Sequence, residues 1–155
     1  GLDVRIVRPF NAYGPRLLGD KYGQVVSIFF NKILNKENMI IHGDGSQTRS
    51  FTWIDDVTDG FVKSGLLEQG IDGSSLAGQA FNIGSTEEIS IAKLANIIIE
   101  ISGKSEILLQ KETGYFGDSK RRLPDIGNSK DLLGWSCQVN LHDGLEMMWD
   151  ALSND

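Results

Sequence analysis

One stretch near the amino terminus constrains the fold more than any other, and it reads VRIVRPFNAYGPR over residues 4–16. It begins as a short β-branched run, which predicts a buried strand. Pro, Asn and a Gly-Pro pair follow and break regular structure. A strand that ends in this way presents side chains at the carboxyl edge of a sheet, where open α/β sheets bind their ligands. Asn11 is expected at that edge, with an amide that both donates and accepts hydrogen bonds.

Length and charge narrow the class of protein. With 155 residues, we expect a single domain of residues 1–155 with a substantial core. A net charge of −6 argues against nucleic acid as a partner, although a few local arginines can still bind an anion. The single cysteine, Cys137, permits no internal disulfide. The sequence has neither a spanning apolar run nor a signal-like start, which favours a cytoplasmic protein without membrane contact.

Hydrophobic periodicity in the first half alternates between strands and helices. It predicts a helix from Gln24 to about Asn35, a strand at 39–42, a turn at 43–46 and a strand at 50–53. A second helix is expected to reach about Leu67, capped by Asp55 or Asp56. Its inward side chains are predicted to be Ile54, Val57 and Phe61.

The second half continues the same alternation. A buried strand is predicted at 80–83, a helix capped by Ser90 at 91–102, a strand at 106–109 and a short helix at 129–133 that Gly134 ends. A terminal helix is marked by apolar residues at helical spacing, namely Leu141, Leu145, Met148 and Leu152. The pattern indicates an α/β fold.

Several motifs then occur in an order that resembles one enzyme family. The chain is similar to the NAD-dependent sugar-nucleotide epimerases and dehydratases, the extended short-chain dehydrogenase/reductases, and most similar in look to UDP-glucuronate decarboxylases and dTDP-glucose 4,6-dehydratases. The resemblance covers nearly the whole chain but only the back half of such an enzyme. Its motifs are Arg8-x-Phe10-Asn11-x-Tyr13-Gly14-Pro15, Gly43-x-Gly45-x-Gln47-x-Arg49, Trp53-Ile54-Asp55-Asp56-Val57, Phe81-Asn82-Ile83-Gly84, Asp118-x-x-x-Arg122-x-Pro124-Asp125-Ile126 and Leu132-Leu133-Gly134-Trp135.

The resemblance implies a fold and a function. The fold would be the carboxyl-terminal part of a Rossmann-type extended short-chain dehydrogenase fold, with a small mixed α/β substrate-binding lobe. The function would be to bind a nucleotide-diphosphate sugar for an enzyme that uses NAD to oxidise the sugar at C4. The NAD-binding half would be a missing or separate partner.

Two arginines are the predicted ligands of the diphosphate. Arginine suits this role because its fork donates two parallel bonds to phosphate oxygens. Arg49 follows a glycine-rich turn and Arg122 lies in a short basic run. Taken alone, each is typical of a solvated surface charge. The resemblance implies that Arg49 contacts the diphosphate and that Arg122 closes over the same group.

The resemblance also suggests the remaining contacts of the site. Asn11 would bond the phosphate or sugar, and Asp118 would accept bonds from ribose hydroxyls, although Asp118 alone also fits a turn aspartate. Phe10 and Ala12 would pass near the nicotinamide. The other expected substrate contacts are Val25, Val26, Ile41 and His42, the last standing where the family usually has an aromatic residue.

Two expected catalytic features are absent from this sequence. No Gly-x-x-Gly-x-x-Gly joins a strand to a helix, and Tyr13, Tyr22 and Tyr115 lack lysine four residues on. No metal-ligand spacing or catalytic residue is predicted either. We therefore expect NAD to bind the full-length parent and this chain to be inactive alone. Two alternatives remain open, a stand-alone nucleotide-sugar module and a degenerate domain that forms a homodimer through the edge of its first strand.

Overall fold

The computed structural model describes residues 1–17, 19, 23–114, 117 and 119–154. Two parallel strand pairs form the part of the fold that contains the first motif. β1 (Ile6–Pro9) pairs with β6 (Ala80–Ile83), and β2 (Ala12–Tyr13) pairs with β5 (Thr52–Trp53). Helices α2 (Ile54–Leu66) and α4 (Gly127–Leu133) pack near them.

The remaining elements form a second packed group. β3 (Met39–His42) pairs in parallel with β8 (Leu109–Glu112). A three-stranded sheet has β4 (Thr48–Arg49) at its centre, antiparallel to β7 (Ile89–Ser90) and parallel to β9 (Arg121–Arg122). Helices α1 (Val25–Leu34) and α3 (Ile91–Ser102) pack against these strands, and α5 (Leu141–Ser153) packs against α3 and β5.

Several predictions that rest on local signals are confirmed. Ser90 accepts a hydrogen bond from the Lys93 amide at the start of α3, which ends at Gly103 with φ 65°. Gly134 ends α4 with φ 58°, a backbone conformation that glycine adopts without strain. The helix predicted from Gln24 and the terminal helix are both present.

Other predictions require correction. The strand expected at 50–53 contains only Thr52–Trp53, because residues 48–49 pair in a different sheet. The strand expected at 106–109 begins at Leu109, where it can pair with β3. β9 was not predicted at all, since its two exposed arginines carry no alternation of polar and apolar residues.

The predicted start of α2 is also wrong in detail. Trp53 occupies the cap position and no side chain caps the helix. Asp55 instead accepts a bond from Trp53 Nε1. The Asp56 carboxylate is buried and accepts the backbone N–H groups of Gln138 and Val139 at 3.1–3.2 Å. It thus ties α2 to the segment before α5.

The expected burial of β1 and α2 holds only in part. Val57 is buried, but Ile54 and Phe61 are 39% and 46% exposed. In the strand predicted to be buried, Val4 and Ile6 are 55% and 48% exposed. The reason is that β1 has a partner on one edge only among the described residues, and none of the described helices covers the face of Val4 and Ile6.

Candidate functional site

The candidate site is a cavity of about 270 Å³ between β3, β4 and the start of α1. Its walls are mostly apolar, with a few polar side chains, as is usual for sites that bind organic ligands. Eleven residues line it: Asn11, Gln24, Val25, Phe29, Ile40, Ile41, His42, Gln47, Arg49, Phe51 and Ile91.

Asn11 enters this cavity from the break that follows β1. Its backbone has φ 39°, a left-handed conformation that asparagine tolerates better than most residues. Its side-chain Nδ2 donates to the Ser50 carbonyl at 2.7 Å, and its own carbonyl accepts from the Thr52 amide at 3.1 Å. Both bonds fix the break against the chain that follows Arg49.

Arg49 lies on the same cavity at the end of β4. Its side chain is buried, and Nη1 donates to the Thr48 carbonyl at 2.7 Å. A buried guanidinium destabilises the folded state unless hydrogen-bond acceptors surround it. An anion in the cavity would supply further acceptors.

Arg122 is brought beside Arg49 by strand pairing. The two residues are register partners in the parallel pair β4–β9, and Thr48 and Arg121 are partners one position earlier. Paired strands lie about 4.8 Å apart, and register partners share a face of the sheet. The Arg122 side chain is exposed. Two guanidinium groups, 73 residues apart in sequence, therefore project from one face of one small sheet.

Only some of the other predicted site residues line the cavity. Val25, Ile41 and His42 line the cavity, whereas Val26 is fully buried in the core and does not line it. Asp118 lies outside the described residues. The predicted substrate contacts that the structure brings to one cavity are thus Asn11, Val25, Ile41, His42 and Arg49.

The two predicted cofactor contacts lie apart from this cavity. Ala12 lines a second cavity of about 670 Å³, together with Tyr13, Trp53 and Asp55 among others. Phe10 lines neither cavity within the described part of the chain, and its carbonyl accepts from the Thr52 hydroxyl. Tyr13 is buried, which raises the pKa of its phenol, and nearby carboxylates including Glu87 raise it further. A phenol held neutral in this way is not prepared to act as a base.

Sequence reasoning gave no role to several residues that line the cavity. Gln47 stands inside a quoted motif, and its Nε2 donates to the His42 carbonyl at 2.8 Å. Phe51 follows Arg49 by two residues, so strand alternation could have placed both on one side. Ile91 comes from a distant part of the chain, and nothing in its local sequence indicates a cavity wall.

One acidic cluster also has no counterpart in the sequence predictions. His142, Asp143 and Glu146 on α5 present ligand atoms within 4.8 Å of one another, and all three are exposed. Asp143 already accepts a bond from Asn140 Nδ2 at 2.8 Å. The grouping follows from helical spacing alone and gives no indication of a metal site.

The fold and the cavity together define a class. Parallel strand pairs flanked by helices, with a break after β1 that places Asn11 at an apolar cavity, are features of a Rossmann-type α/β fold. A sequence model of the NAD dependent epimerase/dehydratase family matches residues 1–84. The chain belongs to this family.

Relatives agree with this assignment. UDP-glucuronic acid decarboxylase 1 of Arabidopsis thaliana is 36% identical over 154 residues, which are 99% of this chain and 33% of the relative. UDP-glucuronic acid decarboxylase 3 of the same plant is 37% identical over 149 residues, 96% of this chain and 40% of the relative. The chain thus spans about a third to two-fifths of the length of these relatives.

Solved structures give the same fold. UDP-glucuronic acid 4-epimerase from Bacillus cereus, in complex with UDP-glucuronic acid and NAD, matches with a TM-score of 0.87 and 32% identity. That match covers 99% of this chain and 46% of the epimerase. A dTDP-glucose 4,6-dehydratase from Streptomyces venezuelae with NAD bound matches with a TM-score of 0.82 and 25% identity, over 99% of this chain and 45% of that one. The predicted fold class is confirmed.

Across the described residues, every helix is too short or too polar to span a bilayer.

Proposed function

We propose that this chain is the nucleotide-sugar-binding part of an NAD-dependent epimerase, dehydratase or decarboxylase. The observation that carries the proposal is the register pairing of Arg49 with Arg122, on a sheet whose central strand borders the cavity that Asn11 lines. Each guanidinium offers paired donors to phosphate oxygens. The Asn11 side chain, held by its bond to Ser50, adds a neutral polar group at the same site.

The lining of the cavity supports two kinds of contact with the ligand. Its apolar residues, which include Val25, Phe29 and Ile41, suit the flat face of a base, and Arg49, which lines the same cavity, suits the diphosphate. Uracil and thymine are the bases that the relatives' names favour. Asp118 is proposed to bind the ribose on the strength of the sequence resemblance alone.

Catalysis is proposed to need groups that this sequence does not contain. When bound, NAD accepts the hydride from sugar C4 in such enzymes. The sequence offers neither the glycine-rich cradle for NAD nor a Tyr-x-x-x-Lys pair. The chain's own contribution is then to hold the substrate in place, which lowers the entropic part of the barrier.

A binding experiment with a matched control tests this proposal. UDP and uridine would be titrated into the wild-type chain, Arg122→Gln and Lys130→Gln by calorimetry. Lys130→Gln removes the same charge from the exposed end of α4. We expect Arg122→Gln to weaken UDP binding by about tenfold or more, to leave uridine unchanged, and Lys130→Gln to match the wild type. Absence of UDP binding by the wild type, or equal effects of the two variants, would contradict the proposal.

Inactivity of the isolated chain is tested separately. Incubation with NAD and UDP-glucuronate, UDP-glucose or dTDP-glucose should give no converted sugar and no NADH absorbance. Conversion by the purified chain would show that its own residues suffice for chemistry. A stand-alone binding module predicts the same UDP affinity, and differs in showing no gain of turnover when an NAD-binding half is supplied in trans.

A partner for β1 is proposed from the apolar surface beside it. The face of Val4 and Ile6 is half exposed, and one edge of β1 has no neighbour among the described residues. Unpaired strand edges template pairing with another strand. We assign this surface to the NAD-binding half. The same observation favours self-association as the second candidate, which predicts a concentration-dependent dimer in sedimentation that Ile6→Lys abolishes.

A further inference from the structure

We infer that Glu88 is a positioning residue that holds Arg122 beside Arg49, and this inference rests on the proposed binding of a diphosphate. Glu88 lies directly before β7, on the opposite side of β4 from β9. Its carboxylate reaches across the sheet to residues of both other strands.

The contacts of Glu88 form a clamp over the three strands. Arg121 Nε and Nη2 donate to its two carboxylate oxygens at 2.8 and 2.9 Å, a bidentate pairing. The Thr48 hydroxyl donates to Oε1 at 2.5 Å. A two-point arginine–carboxylate pair fixes orientation as well as distance. The Arg121 backbone is thereby fixed relative to β4.

Strand alternation places the clamp and the diphosphate ligands on opposite faces. Thr48 pairs with Arg121, and Arg49 pairs with Arg122 in the next position. Successive side chains of a strand point to opposite faces. The side chains that meet Glu88 therefore lie on the face away from Arg49 and Arg122. Glu88 acts on the diphosphate site through the backbone of β9 and not by contact.

Because β9 is short, the clamp has a large share in holding this strand against β4. This strand has two residues, both exposed, so few backbone bonds and no buried side chains hold it against β4. One of those bonds runs from the Thr48 amide to the Lys120 carbonyl at 2.9 Å. With the clamp removed, the Arg122 side chain would sample more positions, and fewer of them would face Arg49.

The direction in which Glu88→Gln changes the affinity for UDP distinguishes a positioning role from a purely electrostatic one. Glu88 is negatively charged, so a purely Coulombic role would oppose a diphosphate, and Glu88→Gln would tighten UDP binding. A positioning role predicts the reverse. Glu88→Gln should weaken UDP binding by about fivefold, the range of a well-formed but solvent-exposed pair. Uridine has no phosphate, so its affinity should not change.

The experiment titrates UDP and uridine into the wild-type chain, Glu88→Gln, Thr48→Val and Glu68→Gln, with thermal unfolding of each variant. Thr48→Val removes one arm of the clamp and keeps the branched shape, and should weaken UDP binding less than Glu88→Gln does. Glu68→Gln removes the same charge from the exposed loop after α2 and should behave as the wild type.

The outcomes distinguish this inference from the proposed function. Weaker UDP binding in Glu88→Gln and Thr48→Val, with uridine unchanged, supports the clamp. If the wild type binds UDP and both variants bind it equally well or more tightly, the clamp alone is overturned. Equal losses for UDP and uridine would indicate general loss of structure and would also overturn it. Failure of the wild type to bind UDP overturns the proposed function and the clamp together.

Discussion

The group of elements around the cavity and the group around β1 differ in how completely they bury their apolar side chains. Around the cavity, α1, α3 and α5 enclose a continuous core that includes Phe30, Leu94 and Leu145, all fully buried. Around β1, a smaller core under α2 and α4 is accompanied by exposed Ile6, Phe61 and Leu66. The group around the cavity therefore shares one closed core with Tyr13 and Trp53 of β2 and β5, while the β1 strand and the outer face of α2 leave an apolar surface suited to a partner.

The largest expected effect contrasts two leucines, one from each group. Leu94 is fully buried in α3, and Leu66 is 77% exposed at the end of α2. Leu94→Ala should cost about 2–5 kcal/mol in the free energy of unfolding. Leu66→Ala should change it by less than about 0.5 kcal/mol. Urea unfolding monitored by circular dichroism measures both. A loss at Leu66 close to that at Leu94 would show that the α2 surface is already covered, and would break the comparison.

The next effect concerns one of the contacts that join the two groups. Asp56→Ala removes a buried carboxylate that accepts the backbone N–H groups of Gln138 and Val139, and the loss of these bonds to a charged acceptor should cost about 2–3 kcal/mol. Asp59→Ala is the matched control, because that carboxylate is exposed and pairs with Lys63 at 3.1 Å. Its cost should stay below about 0.5 kcal/mol. Equal costs in urea unfolding would show that the Asp56 bonds do not join the groups.

A smaller effect is expected at the boundary between the groups. Asn11 combines a left-handed backbone with a side-chain bond to Ser50. Asn11→Ala loses both the bond and the conformational tolerance, and should cost about 2 kcal/mol, whereas Asn11→Gly loses only the bond and should cost about 1 kcal/mol. The free energies of unfolding of the two variants give the comparison. A glycine variant no more stable than the alanine variant would contradict the backbone argument.

The smallest expected effect is a dependence of the free energy of unfolding on pH, through Glu88 in the group around the cavity. Hydrogen bonds from Arg121 and then Thr48 lower the pKa of Glu88 from 4.5 to about 2. A lowered pKa means that the folded state favours the charged carboxylate. The stabilisation is therefore complete above pH 4.5 and is lost as the pH falls towards 2. Urea midpoints of the wild type and Glu88→Gln should converge between pH 5 and about 2. Midpoints that stay equally separated would show that this carboxylate is not held by its partners.

Sequence predicted several parts of the fold that local chemistry decides. The cap at Ser90 and the glycine end of α4 depend on neighbours within a few residues, and they formed as expected. β9 depends on pairing with a strand more than 70 residues away, which no local pattern indicates. The exposure of Ile6 and Phe61 likewise depends on what covers them, and not on their own hydrophobicity.

The residues of the candidate site likewise fall into those that the sequence could identify and those that it could not. Motifs drew attention to Asn11, Arg49 and Arg122, because their residue types suit a phosphate and they follow breaks in regular structure. Ile91 and Glu88 could not be identified, since one supplies an apolar wall and the other acts through a strand that sequence did not reveal. Val26, an expected substrate contact, is fully buried in the core and does not line the cavity.

The central claim is that Arg49 and Arg122 bind one diphosphate, and a crystal structure of this chain soaked with UDP tests it most directly. The account predicts phosphate oxygens within about 2.7–3.0 Å of both guanidinium groups, with the uracil ring against the apolar wall of the cavity. A diphosphate bound elsewhere, or bound to one arginine while the other points away, would contradict it.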